Sequence, residues 1–145
     1  MGYNTLLIWL LRSPFHGFLS GNMMIISFHG RKSGKAYSTP VNYFRAPGEQ
    51  GEYLVTFSKP ERVWWRNLRD GAQVTLYLKG KTVRGQATAS QDVDLTKKYL
   101  NFYLTRNPKV ARYFDVRITP ENLPEDASLA QAAEKLVVVL TRVME

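Results

Sequence analysis

Three short stretches carry side chains able to do chemistry, and each suits an anion or a flat ring better than a bond-breaking triad. The first is Gly30-Arg31-Lys32-Ser33-Gly34, with Lys35 behind it. Two glycines let backbone approach a ligand closely, and successive amides in such a turn can form an anion-binding nest. Arg31 offers a planar fork, Lys32 a point charge and Ser33 a hydroxyl. The order and length differ from a P-loop. From these residues alone a phosphate site, a plain hairpin turn and a nucleic-acid contact all stay open. The second stretch is Ser58-Lys59, which reads as the start of a helix. Unpaired N–H groups and a partial positive charge there suit a phosphate oxygen, or Ser58 is an ordinary cap. The third is Val63-Trp64-Trp65-Arg66-Asn67. A flat pair beside a polar tip can edge an aromatic ring, with Asn67 bonding a ring carbonyl or nitrogen. At least one of the two tryptophans is expected in the core.

Acid, base and nucleophile candidates are missing. The only histidines, His16 and His29, stand thirteen positions apart with no acid beside them, so no metal is expected. The chain has no cysteine, which excludes thiol nucleophiles, disulfides, cysteine-ligated zinc and iron–sulfur clusters. It also fits a reducing, cytoplasmic compartment. Asp92 and Asp94 read as helix caps rather than a glycosidase pair, and Gly-x-Ser-x-Gly does not occur. No catalytic side chain is assigned. A chain with anion sites and no acid–base set reads as one that holds a cofactor, which then carries the chemistry.

Charge is placed accordingly. The formal net charge is +8, and residues 28–84 hold eleven basic against four acidic side chains. Residues 85–145 hold eight of each. A local excess of that size attracts phosphate, nucleic acid or an anionic membrane, or simply keeps a surface solvated. The aromatics read as lying on helical faces rather than on a strand platform, which disfavours nucleic acid.

The elements that must hold these stretches can be read from periodicity. With 145 residues the chain suits one domain, 1–145. The apolar run Thr5–Leu11 is too short to span a bilayer and lacks signal-peptide flanks. It reads as part of an N-terminal helix, for core packing, a dimer contact or peripheral membrane contact. Strands are expected at 23–28, 37–44, 53–57, 74–78, 82–89 and 136–140, with a turn at 46–51. Pro40 bars its strand from a central position. Helices are expected from residue 58 to Asp70-Gly71, over 94–105 with Leu95, Tyr99 and Phe102 buried, over 108–114 with Val110, Ala111 and Phe114 buried, and at 129–133. Six mostly antiparallel strands with helices between them imply a mainly β fold, and a small barrel closes the exposed edges. No Gly-x-Gly-x-x-Gly follows a strand, so a Rossmann fold is not expected.

Taken in order, these motifs resemble the deazaflavin-dependent nitroreductase family, within the split β-barrel flavin and deazaflavin oxidoreductases. The likeness rests on Gly30-Arg-Lys-Ser-Gly-Lys-Ala-Tyr-Ser-Thr-Pro-Val-Asn-Tyr43, Thr56-Phe-Ser-Lys59, Trp64-Trp-Arg-Asn-Leu68, Val74-Thr-Leu-Tyr-Leu78 and Gly85-Gln-Ala87. It covers roughly residues 10–90. The resemblance implies a split barrel that binds reduced coenzyme F420 in a surface groove and passes hydride to an organic acceptor: a quinone, an enone or a nitro-compound. It further implies that Arg31, Lys32 and Ser33 hold the cofactor's phosphate and acidic tail. Tyr37, Ser38, Thr39, Pro40, Val41 and Asn42 would line the strand beneath, and Thr56, Phe57, Ser58 and Lys59 would form a second phosphate-side segment. Val63, Trp64, Trp65, Arg66 and Asn67 would edge the ring, and Tyr113 or Tyr103 would contact the ring or acceptor. The segment Pro60-Glu-Arg-Val63 is shorter than the family's usual stretch, which keeps FMN as the alternative cofactor. A non-enzymatic module binding a cofactor, lipid or nucleic acid is the remaining alternative. Monomer and homodimer are both expected states.

Overall fold

The computed structural model describes residues 23–30, 32–49 and 51–144. The expectations for the N-terminal helix, for His16 and for Arg31 fall outside the described residues.

Seven strands form one sheet, every pairing antiparallel: β1 Met23–His29, β2 Ala36–Asn42, β3 Phe44–Gly48, β4 Gly51–Ser58, β5 Ala72–Leu78, β6 Lys81–Ser90 and β7 Val137–Met144. Their spatial order is β2-β1-β5-β6-β7-β4-β3. The two edge strands, β2 and β3, are separated in sequence by Tyr43 alone. One residue cannot cross the width of a seven-stranded sheet, since neighbouring strands lie about 4.8 Å apart. The sheet therefore rolls until its edges meet at Tyr43, giving a split-barrel-like, mainly β fold with helices. Both edges carry a proline, Pro40 and Pro47, where a missing N–H costs no ladder bond and discourages pairing with another chain.

Strand alternation places the core. Met24, Ile26 and Phe28 of β1, Val74, Leu76 and Leu78 of β5, and Val137 and Val139 of β7 face inward, joined by Tyr43, Trp65 and Leu68. The alternation expected for residues 74–78 is present, with Thr75 and Tyr77 only half-buried. On the outer side, Ala46, Val55 and Val138 pack under Tyr99. Tyr99 lies on α1, Val93–Arg106, whose Asp92 cap accepts a hydrogen bond from the Leu95 amide. Leu100 and Leu104 of α1 then meet Leu129 and Ala132 of α2, Asp126–Glu134. Among the described residues no helix is long and apolar enough to cross a membrane.

Three sequence expectations need correction. Residues 46–51 were expected as a turn, yet Phe44–Gly48 is a strand paired with β4, which makes seven strands rather than six. An edge position tolerates Pro47, so the proline there signals the edge and not the turn. Residue 58 opens no helix. Ser58 pairs with Val137 as the last residue of β4, a turn follows, and only Trp64–Leu68 is helical, as a 3₁₀ segment with no side-chain cap. At three residues per turn Trp65 and Leu68 share the buried side, while Glu61 is exposed and Trp64 sits at the boundary. Finally, Pro108–Phe114 is also 3₁₀, and of its expected core residues Ala111 alone is fully buried.

Candidate functional site

The basic turn joins β1 to β2. The Gly30 amide donates to the Lys35 carbonyl at 2.8 Å, the Gly34 amide to the Gly30 carbonyl at 2.9 Å, and the Lys35 amide to Ser33 Oγ at 3.2 Å. Those three amides are thus used within the turn, Ser33 Oγ is held there by the Lys35 amide, and the residues Lys32 and Ser33 are both exposed. Gly30 has a steric reason. A Cβ there would stand 2.7 Å from the Tyr37 ring and 3.0 Å from Ser33 Oγ. Gly34 takes a φ of +70°, which a side chain rarely adopts.

Across from the turn stands the Trp64–Leu68 segment. The two meet around an open cleft of about 710 Å³ whose walls include Lys32, Ser33, Tyr37, Val63 and Trp64. Phe28, Gly30, Arg66, Asn67 and Arg69 line it too, and among the described residues no acid does. Trp64 leans on Phe28 with ring centroids 6.3 Å apart. Trp65, 2% exposed, belongs to the core and lines nothing. Its indole Nε1 donates to the Pro60 carbonyl at 3.4 Å, and the Arg66 and Arg69 guanidiniums lie 5.7 and 5.2 Å from its ring centre. Trp65 meets the expectation that at least one tryptophan is core, and a ring so buried cannot also edge a cofactor as the resemblance implied; Trp64 lines the cleft. Asn67 Nδ2 donates to the Trp64 carbonyl at 3.1 Å, so part of the amide expected to meet a ring holds the segment itself.

A second, smaller pocket of about 240 Å³ opens at the far end of β2. Asn42, Phe57, Ser58, Lys59, Tyr103 and Tyr113 from the sequence reading all line it. Its walls are aromatic. Phe44 stacks on Tyr103 at 4.6 Å and lies 5.6 Å from Phe57, while Phe114 meets Phe57 and Tyr103 edge-on at 6.1 and 6.3 Å. Burial raises the pKa of Tyr103, so its phenol stays protonated. Ser58 Oγ donates to the Lys59 carbonyl at 3.2 Å, and Lys59 itself is exposed. A third depression, of about 390 Å³, adjoins the pocket through shared walls at Lys59, Tyr113, Phe114 and Leu136.

The two main depressions are linked by a tight turn. The Arg62 amide donates to the Lys59 carbonyl at 3.1 Å. In such a turn the first and last Cα atoms lie within about 7 Å, so Val63 of the cleft is within about 11 Å of Lys59 of the pocket.

Several expected contacts lie elsewhere. Ser38 Oγ bonds Ser27 Oγ at 2.8 Å and lines a separate shallow depression beside His29 and Arg84. Thr39 and Pro40 are half-buried and line neither site, and Val41 is core. Thr56 is 3% exposed, and among the described residues its Oγ1 has no hydrogen-bond partner. Along β2 the side chains alternate, so Ser38 and Pro40 point to one face and Thr39 and Val41 to the other, where Val41 joins the core. The sequence reading missed Phe44, Val110, Phe114 and Leu136 as pocket walls and Phe28 and Arg69 as cleft walls. The helix expected over 108–114 already held Val110 and Phe114, but no spacing says that this segment faces the end of β4.

No family model matches the chain, and no curated protein matches it. Two solved structures are similar in fold. One is a protein of unknown function from Agrobacterium tumefaciens, at 17% identity and a TM-score of 0.53, covering 99% of this chain and 55% of the other. Another is an FAD and heme binding protein from Mycobacterium smegmatis, at 15% identity and a TM-score of 0.49, covering 88% of this chain and 63% of the other. The chain thus spans between about half and just under two thirds of their lengths. The first likeness bears on the fold alone.

Proposed function

We propose that the cleft and the aromatic pocket are the two ends of one site for an extended anionic redox cofactor, coenzyme F420, and that the protein is an oxidoreductase reducing an organic acceptor. The observation that carries this reading is the Lys59–Arg62 turn. It keeps a cleft whose charged side chains are all cationic and an aromatic pocket close enough for one elongated molecule to touch both. The donor chemistry fits. Lys32, Arg66 and Arg69, with no acid among them, suit a phosphodiester and an acidic tail. Phe44, Phe57 and Tyr103 supply flat faces for a ring system, with Asn42 and Lys59 as the polar groups at its rim.

When bound, reduced F420 supplies a hydride to a quinone, enone or nitro acceptor. The chain's own part is positioning and exclusion. Phe44, Phe57 and Phe114 shut water out of the pocket. Tyr103 Oη keeps its proton at neutral pH and can donate a hydrogen bond to an acceptor oxygen. Lys59, which lines both the pocket and the adjoining depression, would offer that oxygen a positive charge, while the depression's other charged walls, Glu61, Asp115 and Lys135, leave it without a net cationic excess. Solvent can deliver the final proton there.

Titration of F420 into the protein, followed by tryptophan fluorescence, tests the reading. Saturable binding below about 0.1 mM supports it. Parallel titration with FMN separates the two ring cofactors: tighter FMN binding would replace F420 with FMN in the same site. Absence of saturation by either one overturns the proposal.

A further inference from the structure

The end of the barrel remote from Trp64 carries a depression of about 500 Å³ that the cofactor reading does not use. It lies where β5 ends at Leu78 and the chain turns through Lys79-Gly80 into β6. Arg69 of the cleft precedes the opposite end of β5. The seven residues of that strand put the two ends about 20 Å apart.

Leu78, Val83 and Val143 give the depression an apolar lining, and Val143 and Met144 at the end of β7 are 38% and 37% exposed. Lys79 and Lys81, both exposed, stand on its rim with Arg142. The single acid among the lining residues, Glu52, is held by Arg45 Nη1 at 2.8 Å and so does not neutralise the lysines. The turn itself adds an independent observation. Lys79 has φ +50° and Gly80 φ +77°, the pattern of a two-residue hairpin loop that favours Asn-Gly. A lysine at that left-handed position overrides the local preference, and such departures concentrate where a side chain is needed for something else.

We propose that this depression binds an amphipathic anion: a carboxylate or phosphate ester head between Lys79 and Lys81, with an alkyl tail along Leu78, Val83 and Val143. Neither half suffices. Exposed lysines hold a bare anion weakly in water, and a shallow apolar floor holds an uncharged chain weakly. The site is independent of the cofactor reading and stands or falls without it.

The test uses decyl phosphate below its micelle concentration, inorganic phosphate, and vesicles of phosphatidylcholine with or without phosphatidylglycerol. Calorimetry should show saturable one-site binding of decyl phosphate and at least about tenfold weaker binding of inorganic phosphate. Lys79→Asn removes the charge while supplying the residue the turn prefers, so it should weaken decyl phosphate binding about fivefold and raise Tm. Lys81→Gln should weaken binding similarly with Tm unchanged. Binding of decyl phosphate together with flotation on phosphatidylglycerol vesicles identifies a membrane lipid as the source of the head group. The same binding without flotation identifies a soluble amphiphile, and both support the site. No saturable binding of decyl phosphate, equal affinity for inorganic phosphate, or unchanged affinity in the Lys79→Asn/Lys81→Gln double variant overturns it.

Discussion

Phe28 and Tyr37 lie directly opposite each other on β1 and β2, and their rings stack with centroids 5.9 Å apart at 26°. Phe28 also meets Trp64, so a continuous aromatic wall runs from the edge strand to the 3₁₀ segment across the floor of the cationic cleft. The glycine that begins the basic turn permits this, because a Cβ at residue 30 would enter the space the Tyr37 ring occupies. Local backbone, ring packing and the shape of the cleft are therefore one arrangement.

Gly30→Ala tests that coupling. Tyr37 is 46% exposed and can swing outward, so folding should be little affected, within about 0.5 kcal/mol. The cleft wall would be lost. The expected result is F420 binding weakened about tenfold with a nearly unchanged urea midpoint. Unfolding by several kcal/mol would instead mean that Tyr37 is locked in place.

Thr56 and Thr141 carry a stability prediction. Both face the barrel interior, on paired strands β4 and β7, and among the described residues neither buried hydroxyl has a hydrogen-bond partner. An unsatisfied buried hydroxyl costs about 1–3 kcal/mol. Replacing either threonine by valine keeps the shape and should stabilise the protein by about 1 kcal/mol in urea denaturation. F420 affinity should not change with Thr56→Val, since that side chain lines neither depression.

Much of this was legible in the residues. Alternation along Val74–Leu78, the cap at Asp92 and the edge position forced by Pro40 all follow from local rules, and each appears in the structure. The segment after β4 was not. Ser58, Pro60 and Glu61 spell a helix start, but Ser58 is held in the sheet by Val137, and tertiary pairing overrides a cap signal worth only about 1 kcal/mol. Candidate site residues divided in the same way. Their presence near the two depressions was readable from motif order. Which of Tyr37 to Asn42 face outward depends on register against β1, which one strand's sequence leaves open.

Tyr99 and Tyr103 make stability depend on alkaline pH. Burial raises both pKa values above the ordinary 10.0, with Tyr53 and then Glu49 adding to the effect on Tyr99. In the unfolded chain the phenols ionise near that ordinary value, whereas the folded protein retains their protons. Their contribution is thus fully present below pH 10 and is lost as pH rises through the folded values. Tm should fall more steeply between pH 9 and pH 11 in the parent protein than in Tyr103→Phe, which removes one of the two groups. Equal slopes would show that Tyr103 ionises freely and is not sequestered in the pocket wall.

Lys32 and Lys59 separate the two ends of the proposed site. Both are exposed and neither forms a salt bridge among the described residues, so replacing either by alanine should leave Tm nearly unchanged. Lys32 lines the cleft that suits an acidic tail, and Lys59 lines the pocket that suits a ring. With intact F420 each variant should bind about tenfold more weakly, since a charged contact is worth about 1.5–3 kcal/mol before solvent screening reduces it. With a tail-less deazaflavin ring the results should diverge: Lys59→Ala still weakens binding, while Lys32→Ala has no effect. The double variant should lose the product of the two factors on intact F420, because groups at opposite ends of one ligand act independently. If Lys32→Ala weakens the tail-less ring as much as the intact cofactor, the ring lies in the cleft with Trp64. The aromatic pocket would then be the acceptor's.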